Sequence, residues 1–151
     1  MTYVAASTAA GGCVFCTAPA AGDDRGQLVL HRSRHGYLIL NAYPYAAGHL
    51  LAVVNRHVAT LADATIEERA DLIALVTRAT TLLAAEYRAE GFNVGLNQGR
   101  VAGAGIAEHL HMHVVPRWSG DANFVAVVGE TRVIPEALEV TYDRLRGRLG
   151  E

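Results

Sequence analysis

Cysteine is nearly missing from this chain: Cys13 and Cys16 are the only two among 151 residues. Two thiols cannot build the disulfide framework of a small secreted domain, and in a reducing compartment a C-x-x-C pair suits metal or redox chemistry. Charge of one sign is missing as well, since 13 Lys and Arg against 15 Asp and Glu leave a formal net charge of −2. No global field then draws nucleic acid or an anionic membrane, and an anionic ligand must be held by a local site. No apolar run approaches the ~18 residues that a membrane-spanning helix needs. Residues 1–12 are Ala-rich without a basic start or a Leu-rich core, so no secretory signal is expected and the cytoplasm is the expected compartment. Internal repeats and long linkers are absent too.

What remains is a globular composition, 51% hydrophobic and 19% charged, which argues against disorder. A chain this long can bury about 70% of its unfolded surface without staples. We expect one domain over residues 1–151, with a loose leader over 1–26, a core over 27–117 and a tail with a helix over 118–151. Short apolar runs at 27–31, 36–41 and 49–54, separated by turn-like segments, read as a meander of three strands. Residues 65–91 read as the main helix. Thr65 and Glu68 form a capping box, Gly91 is the expected left-handed stop, and Ile66, Ala70, Ile73, Val76, Thr80, Leu83 and Tyr87 form the expected buried stripe. Strands follow at 93–97 and 109–117, joined by the glycine-rich loop 99–105, and Pro135 opens an amphipathic C-terminal helix. Sequential strands on short loops favour an antiparallel sheet, so the fold class is α+β with about five strands.

The strongest chemical signal is His109-Leu110-His111-Met112-His113, which gathers three of the chain's seven histidines into five residues. On a strand the three imidazoles share one face while Leu110, Met112 and Val114 point to the other. Periodicity leaves two readings open, a nucleophile cluster and a three-histidine zinc site. The glycine-rich loop before the histidines, with Gly103 and Gly105, can turn backbone N–H groups toward an anion, and Asn97 adds an amide donor. Arg100 and Arg117 are the cationic candidates nearby, while Trp118 and Asp121 suit packing or turn-capping as well as ligand contact.

These residues make the chain resemble the histidine-triad (HIT) nucleotide-binding superfamily. HLHMHVV matches its alternating signature in full, and the likeness extends through PYAAGHLLAVV, GFNVGLNQG and AEHLHMHVVPRW, roughly Leu28 to Phe124. The tail pattern through Trp118, Gly120, Asp121, Asn123 and Phe124 is most similar to bacterial proteins of the diadenosine tetraphosphate phosphorylase type. The resemblance implies an antiparallel sheet with one long helix, and an enzyme that moves or hydrolyses a nucleotidyl group of a dinucleoside polyphosphate or similar AMP conjugate. It puts the nucleophile on His111, phosphate-oxygen contacts on His113, and the steadying of the nucleophile on His49. Asn41 would hold the ribose hydroxyls; Asn97 and the loop backbone at Gly103 and Gly105 would receive the α-phosphate. Relatives often carry Gln or Ser where this chain has Gly105, so one side-chain donor is missing.

The same resemblance implies a structural zinc on Cys13, Cys16, His57 and His109, pinning the leader to the sheet. It also implies a homodimer, for which Leu72, Leu75 and Leu82 offer a second apolar face on the main helix. Two rival readings stand beside the nucleotidyl enzyme. One is a mononuclear zinc enzyme using all three triad histidines; the other is a non-catalytic, zinc-stapled nucleotide-binding module. No organic cofactor, nucleic acid or membrane partner is expected.

Overall fold

The computed structural model describes residues 12–121 and 136–150. The chain runs α1 (Val14–Ala20), β1 (Val29–Arg32), β2 (Gly36–Leu40), β3 (Leu50–Val54), α2 (Ile66–Tyr87) and β4 (Gly91–Gly95). A 3-10 turn (Arg100–Ala102), β5 (His111–Arg117) and α3 (Leu138–Leu149) follow among the described residues. GYLIL and LLAVV are apolar enough to be covered on both faces, and every residue of β2 and β3 is buried. They form the middle of one antiparallel sheet of five strands in the order β1-β2-β3-β5-β4. This is the α+β arrangement expected from the sequence.

One face of the sheet carries the larger core. Leu30, Leu38, Leu40, Leu50, Ala52, Val54, Leu110 and Val114 pack there against α2 and α3. The capping box forms as expected: the Thr65 hydroxyl accepts from the Glu68 N–H and the Glu68 carboxylate accepts from the Thr65 N–H. The Arg56 guanidinium, then that backbone bond, hold the Glu68 carboxyl down to about 2.

Three expectations for α2 need correction. Val76 and Leu83 are buried as expected, but the stripe continues through Leu72, Leu75, Ala79 and Leu82, whereas Ile66 and Ile73 are 72% and 55% exposed. Two rows on this helix satisfy helical spacing, and the leucine row buries more apolar volume against the sheet. Leu72, Leu75 and Leu82 are therefore core residues and no second face. The helix also stops early, with Arg88 at φ 51° as the left-handed residue, while Gly91 opens β4. The Trp118 indole N–H donates to the Tyr87 carbonyl there, satisfying one orphan acceptor of the helix end.

The leader is not loose throughout, because α1 occupies Val14–Ala20. Composition hides it: the helix is seven residues long, has no side-chain cap and contains Pro19. Proline lacks the N–H that would reach the Phe15 carbonyl four residues back, and the buried Tyr37 hydroxyl donates to that carbonyl at 2.6 Å instead. Phe15 and Ala18 thereby seal the second face of the sheet with Val29, Tyr37, Ile39, Leu51 and Val53. Pro135, Asn123 and Phe124 lie outside the described residues.

Gly48 fixes the approach to β3. Its φ is +78°, and a Cβ there would lie 2.7 Å from the Leu83 side chain. Gly48→Ala therefore combines a disfavoured backbone with overpacking, and should destabilise by about 2 kcal/mol. Urea denaturation of the variant checks this.

Candidate active site and metal centre

The second face of the sheet carries the chemistry. In β5, His111 pairs with Val53 of β3 and His113 with Leu51, so both imidazoles stand on the face that α1 partly covers. His109 precedes the strand proper, but the alternation holds: Leu110 and Val114 enter the larger core behind. On the other flank His113 pairs with Gly95, which puts no side chain beside it. The chain then runs on from β4 toward the His111 end of β5, which brings Asn97 and the glycine loop to the same region.

Hydrogen bonds settle the tautomers. His111 Nδ1–H donates to the His109 carbonyl at 2.7 Å, which leaves Nε2 of the neutral ring with its lone pair. The Tyr45 backbone N–H points at His49 Nδ1 from 3.0 Å, and Asn41 Nδ2 approaches the same atom at 3.3 Å, so no proton sits there. His49 therefore carries its proton on Nε2 and donates to His113 Nδ1 at 3.0 Å. His113 in turn keeps its proton on Nε2. The cluster thus presents one basic nitrogen, on His111, beside one N–H donor, on His113, with ring centroids 5.2 Å apart. His49 thus bonds to His113, and the His109 carbonyl holds the His111 ring.

Burial lowers the pKa of His111, and burial with the neighbouring His111 pushes His113 down to about 4. Both rings are then neutral at pH 7 in the unliganded chain, so His113 enters as a donor rather than a cation. Between the ordinary value of 6.5 and about 4 the unfolded chain takes a proton that folded His113 refuses, so stability is lost as pH falls through that window. Thermal midpoints should decline from pH 7 to pH 4, and His113→Asn should flatten the decline.

The other expected site residues are spread around this pair. Asn41 is buried, and its Oδ1 accepts from the Tyr43 N–H, so it shapes the β2–β3 turn as well as facing His49. Tyr45, half exposed, stacks on His113 with 10° between ring planes. Asn97 is exposed two residues beyond β4, and its Nδ2 donates to the Gly103 carbonyl at 3.4 Å. Gly99 and Gly103, at φ +89° and +90°, bracket the 3-10 turn between β4 and β5, and Gly105 follows half buried. Arg100 pairs with Glu108, and Arg117 with Asp121 and Asn93, so each guanidinium has a protein partner. Asp121 also accepts from the Trp118 N–H, a turn cap.

Cys13, Cys16, His57 and His109 meet on one side of the triad, with their ligand atoms all within 4.8 Å of one another. His109 Nε2–H donates to the Val54 carbonyl at 2.8 Å, so its Nδ1 lone pair faces the cluster. That nitrogen lies 3.3 Å from Cys13 Sγ, 3.5 Å from Cys16 Sγ and 3.3 Å from His57 Nδ1, and Cys16 Sγ lies 3.4 Å from His57 Nδ1. Tetrahedral zinc with ordinary bond lengths would set N···N near ~3.3 Å and N···S near ~3.6 Å. The donor set and its spacing fit that ion. The three triad imidazoles do not converge in this way, since His109 faces the cysteines, His111 Nδ1 its own backbone and His113 Nδ1 His49. Nothing here favours a mononuclear centre built on all three.

A Mycobacterium tuberculosis protein named AP-4-A phosphorylase is 47% identical over 127 residues, which is 84% of this chain and 65% of that protein. The chain thus spans just under two thirds of the length of that relative. A Schizosaccharomyces pombe bis(5'-nucleosyl)-tetraphosphatase (asymmetrical) is 30% identical over 64% of this chain and 52% of its own length. Among solved structures, a Zn-bound histidine triad family protein from Mycobacterium smegmatis superposes with a TM-score of 0.74 at 28% identity, covering 92% of this chain and 94% of that one. No helix among the described residues is long and apolar enough to cross a membrane. A HIT domain family model matches residues 25–120, which take in the sheet, α2 and every triad histidine, and the chain belongs to that family.

Proposed function

We propose that the chain transfers a nucleotidyl group from a dinucleoside polyphosphate through a covalent intermediate on His111. The observation that carries this is the paired tautomer, a lone pair on His111 Nε2 beside an N–H on His113 Nε2. His111 Nε2 attacks the α-phosphorus in line and forms a P–N bond, while the P–O bond to the departing nucleoside polyphosphate breaks. The His113 N–H and the loop amides near Gly103 and Gly105 stabilise the charge on phosphate oxygens. Asn97 braces that loop, and Asn41 holds the ribose. Anionic phosphate beside His113 raises its pKa from the unliganded value and lets it give a proton to the leaving oxygen. In the second step inorganic phosphate or water attacks the same phosphorus and frees His111. The name of the mycobacterial relative supports phosphate as acceptor, and that of the fission-yeast relative supports water.

Incubation with diadenosine tetraphosphate, with and without inorganic phosphate, tests the reading. Phosphate-dependent release of ADP and ATP supports a phosphorylase, and AMP with ATP supports a hydrolase. No turnover in either arm overturns the proposal.

In the same reading Cys13, Cys16, His57 and His109 hold a structural zinc, whose closed shell leaves no position for substrate. The chain would also work as a homodimer. Strand β4 forms a sheet edge with Asn93, Val94 and Gly95 exposed, and α2 turns Ile66, Ala70 and Ile73 outward. Sedimentation at micromolar concentration should give twice the chain mass; a monomer there would contradict it.

A further inference from the structure

The metal centre and the triad share one residue. His109 offers Nδ1 to the cysteine cluster, while its carbonyl accepts the proton that leaves His111 Nε2 basic. A second link runs beside it. Phe15 stands between the two cysteines in sequence, is 5% exposed, and meets His109 edge-on with centroids 5.5 Å apart. The same ring lies on His111, at 4.8 Å and a tilt of 52°. Its backbone is fixed from the sheet side by the Tyr37 hydroxyl, on the acceptor that Pro19 leaves unused.

We propose that Phe15 is a positioning residue for His111, and that a metal held by Cys13, Cys16, His57 and His109 sets the orientation of that imidazole through Phe15 and the His109 carbonyl. The centre then does more than pin the leader. A ring against one face of His111 blocks rotation about its Cβ–Cγ bond, and the carbonyl keeps one flip state. Of the two constraints, the first depends on α1 staying docked and the second on the backbone at His109, and the four ligands hold both. The rate-limiting geometry at phosphorus is sensitive to such tilts, because a misplacement of about 1 Å costs on the order of a hundredfold in rate.

This inference rests on His111 being the nucleophile, so its test reads the imidazole directly as well as the chemistry. Zinc-loaded wild type, Phe15→Leu and Phe15→Ala, each with one metal per chain by elemental analysis, are compared with metal-stripped wild type. Long-range 1H–15N spectra report the His111 tautomer and the hydrogen-bonded Nδ1–H. In Phe15→Ala and in the stripped wild type that signal should broaden or vanish, with Phe15→Leu intermediate. Single-turnover nucleotidylation should fall about tenfold to a hundredfold in Phe15→Ala, while nucleotide affinity stays within about twofold. If the alanine variant does not fold, the leucine variant, which keeps the apolar volume without the ring, decides alone. An unmoved His111 Nδ1–H in metal-loaded Phe15→Leu and in stripped wild type overturns the proposal. Label uptake that survives His111→Ala fails the functional reading instead, and leaves the spectra to judge positioning.

Discussion

Replacing His111 by alanine is expected to abolish turnover, by on the order of 10⁴- to 10⁶-fold, the loss seen when an enzyme's nucleophile is removed. No neighbour can take the role. His113 presents an N–H rather than a lone pair, because its Nδ1 accepts from His49, and His109 turns its free nitrogen toward the cysteines. An AMP-donating substrate labelled in its α-phosphate should leave acid-labile, base-stable label on the wild type, as a phosphoramidate does, and none on His111→Ala or His111→Asn. Nucleotide binding should persist in the asparagine variant, which retains polar bulk at the site. Two in-line displacements cancel, so the α-phosphorus should keep its configuration. Inversion there would move the mechanism to direct attack by an activated water. Unchanged function in the alanine variant would favour a binding module over an enzyme.

What the sequence shows and what it hides divide along physical lines. The capping box at Thr65 and Glu68 and the shared face of His111 and His113 are local patterns, and local patterns survive folding. The side of α2 that is buried is not local. Ile66–Ala70–Ile73 and Leu72–Leu75–Ala79 are both helical stripes, and only the sheet above chooses between them. Helix α1 hides for a similar reason, since Tyr37, 22 residues beyond Phe15, completes the bond to the Phe15 carbonyl that Pro19 cannot make. The cluster of Cys13, Cys16, His57 and His109 was legible only through likeness to a family, because four residues spread from Cys13 to His109 have no spacing that declares them a set. The relay from Tyr45 through His49 to His113 leaves no trace in composition at all, since its first donor is a backbone N–H.

Chelating the proposed zinc, or Cys16→Ser, is expected to give the largest loss of stability. Helix α1 has seven residues, no side-chain cap and an interior proline, too little to stand without tertiary support. The Cys13 carbonyl, at its N-cap, accepts from the Cys16 and Thr17 N–H groups at 2.9 and 3.0 Å, so the first turn and the two cysteines of the cluster are one unit. Once the ligands part, Phe15 loses its seat and Val29, Tyr37, Ile39, Leu51 and Val53 lose their cover. Exposing one Phe alone costs about 3 kcal/mol. At ~2–4 °C per kcal/mol for a chain of this size, that is a fall in Tm of about 6–12 °C, before any uncovering of the sheet face. Serine keeps the shape of cysteine but is a poor zinc ligand, so Cys16→Ser should match the chelated wild type and show no further response to chelator. A midpoint that chelation moves by less than about 2 °C would mean that burial of Phe15 and Ala18, with the Tyr37 bond, holds α1 unaided, and that the four ligands contribute little to the fold.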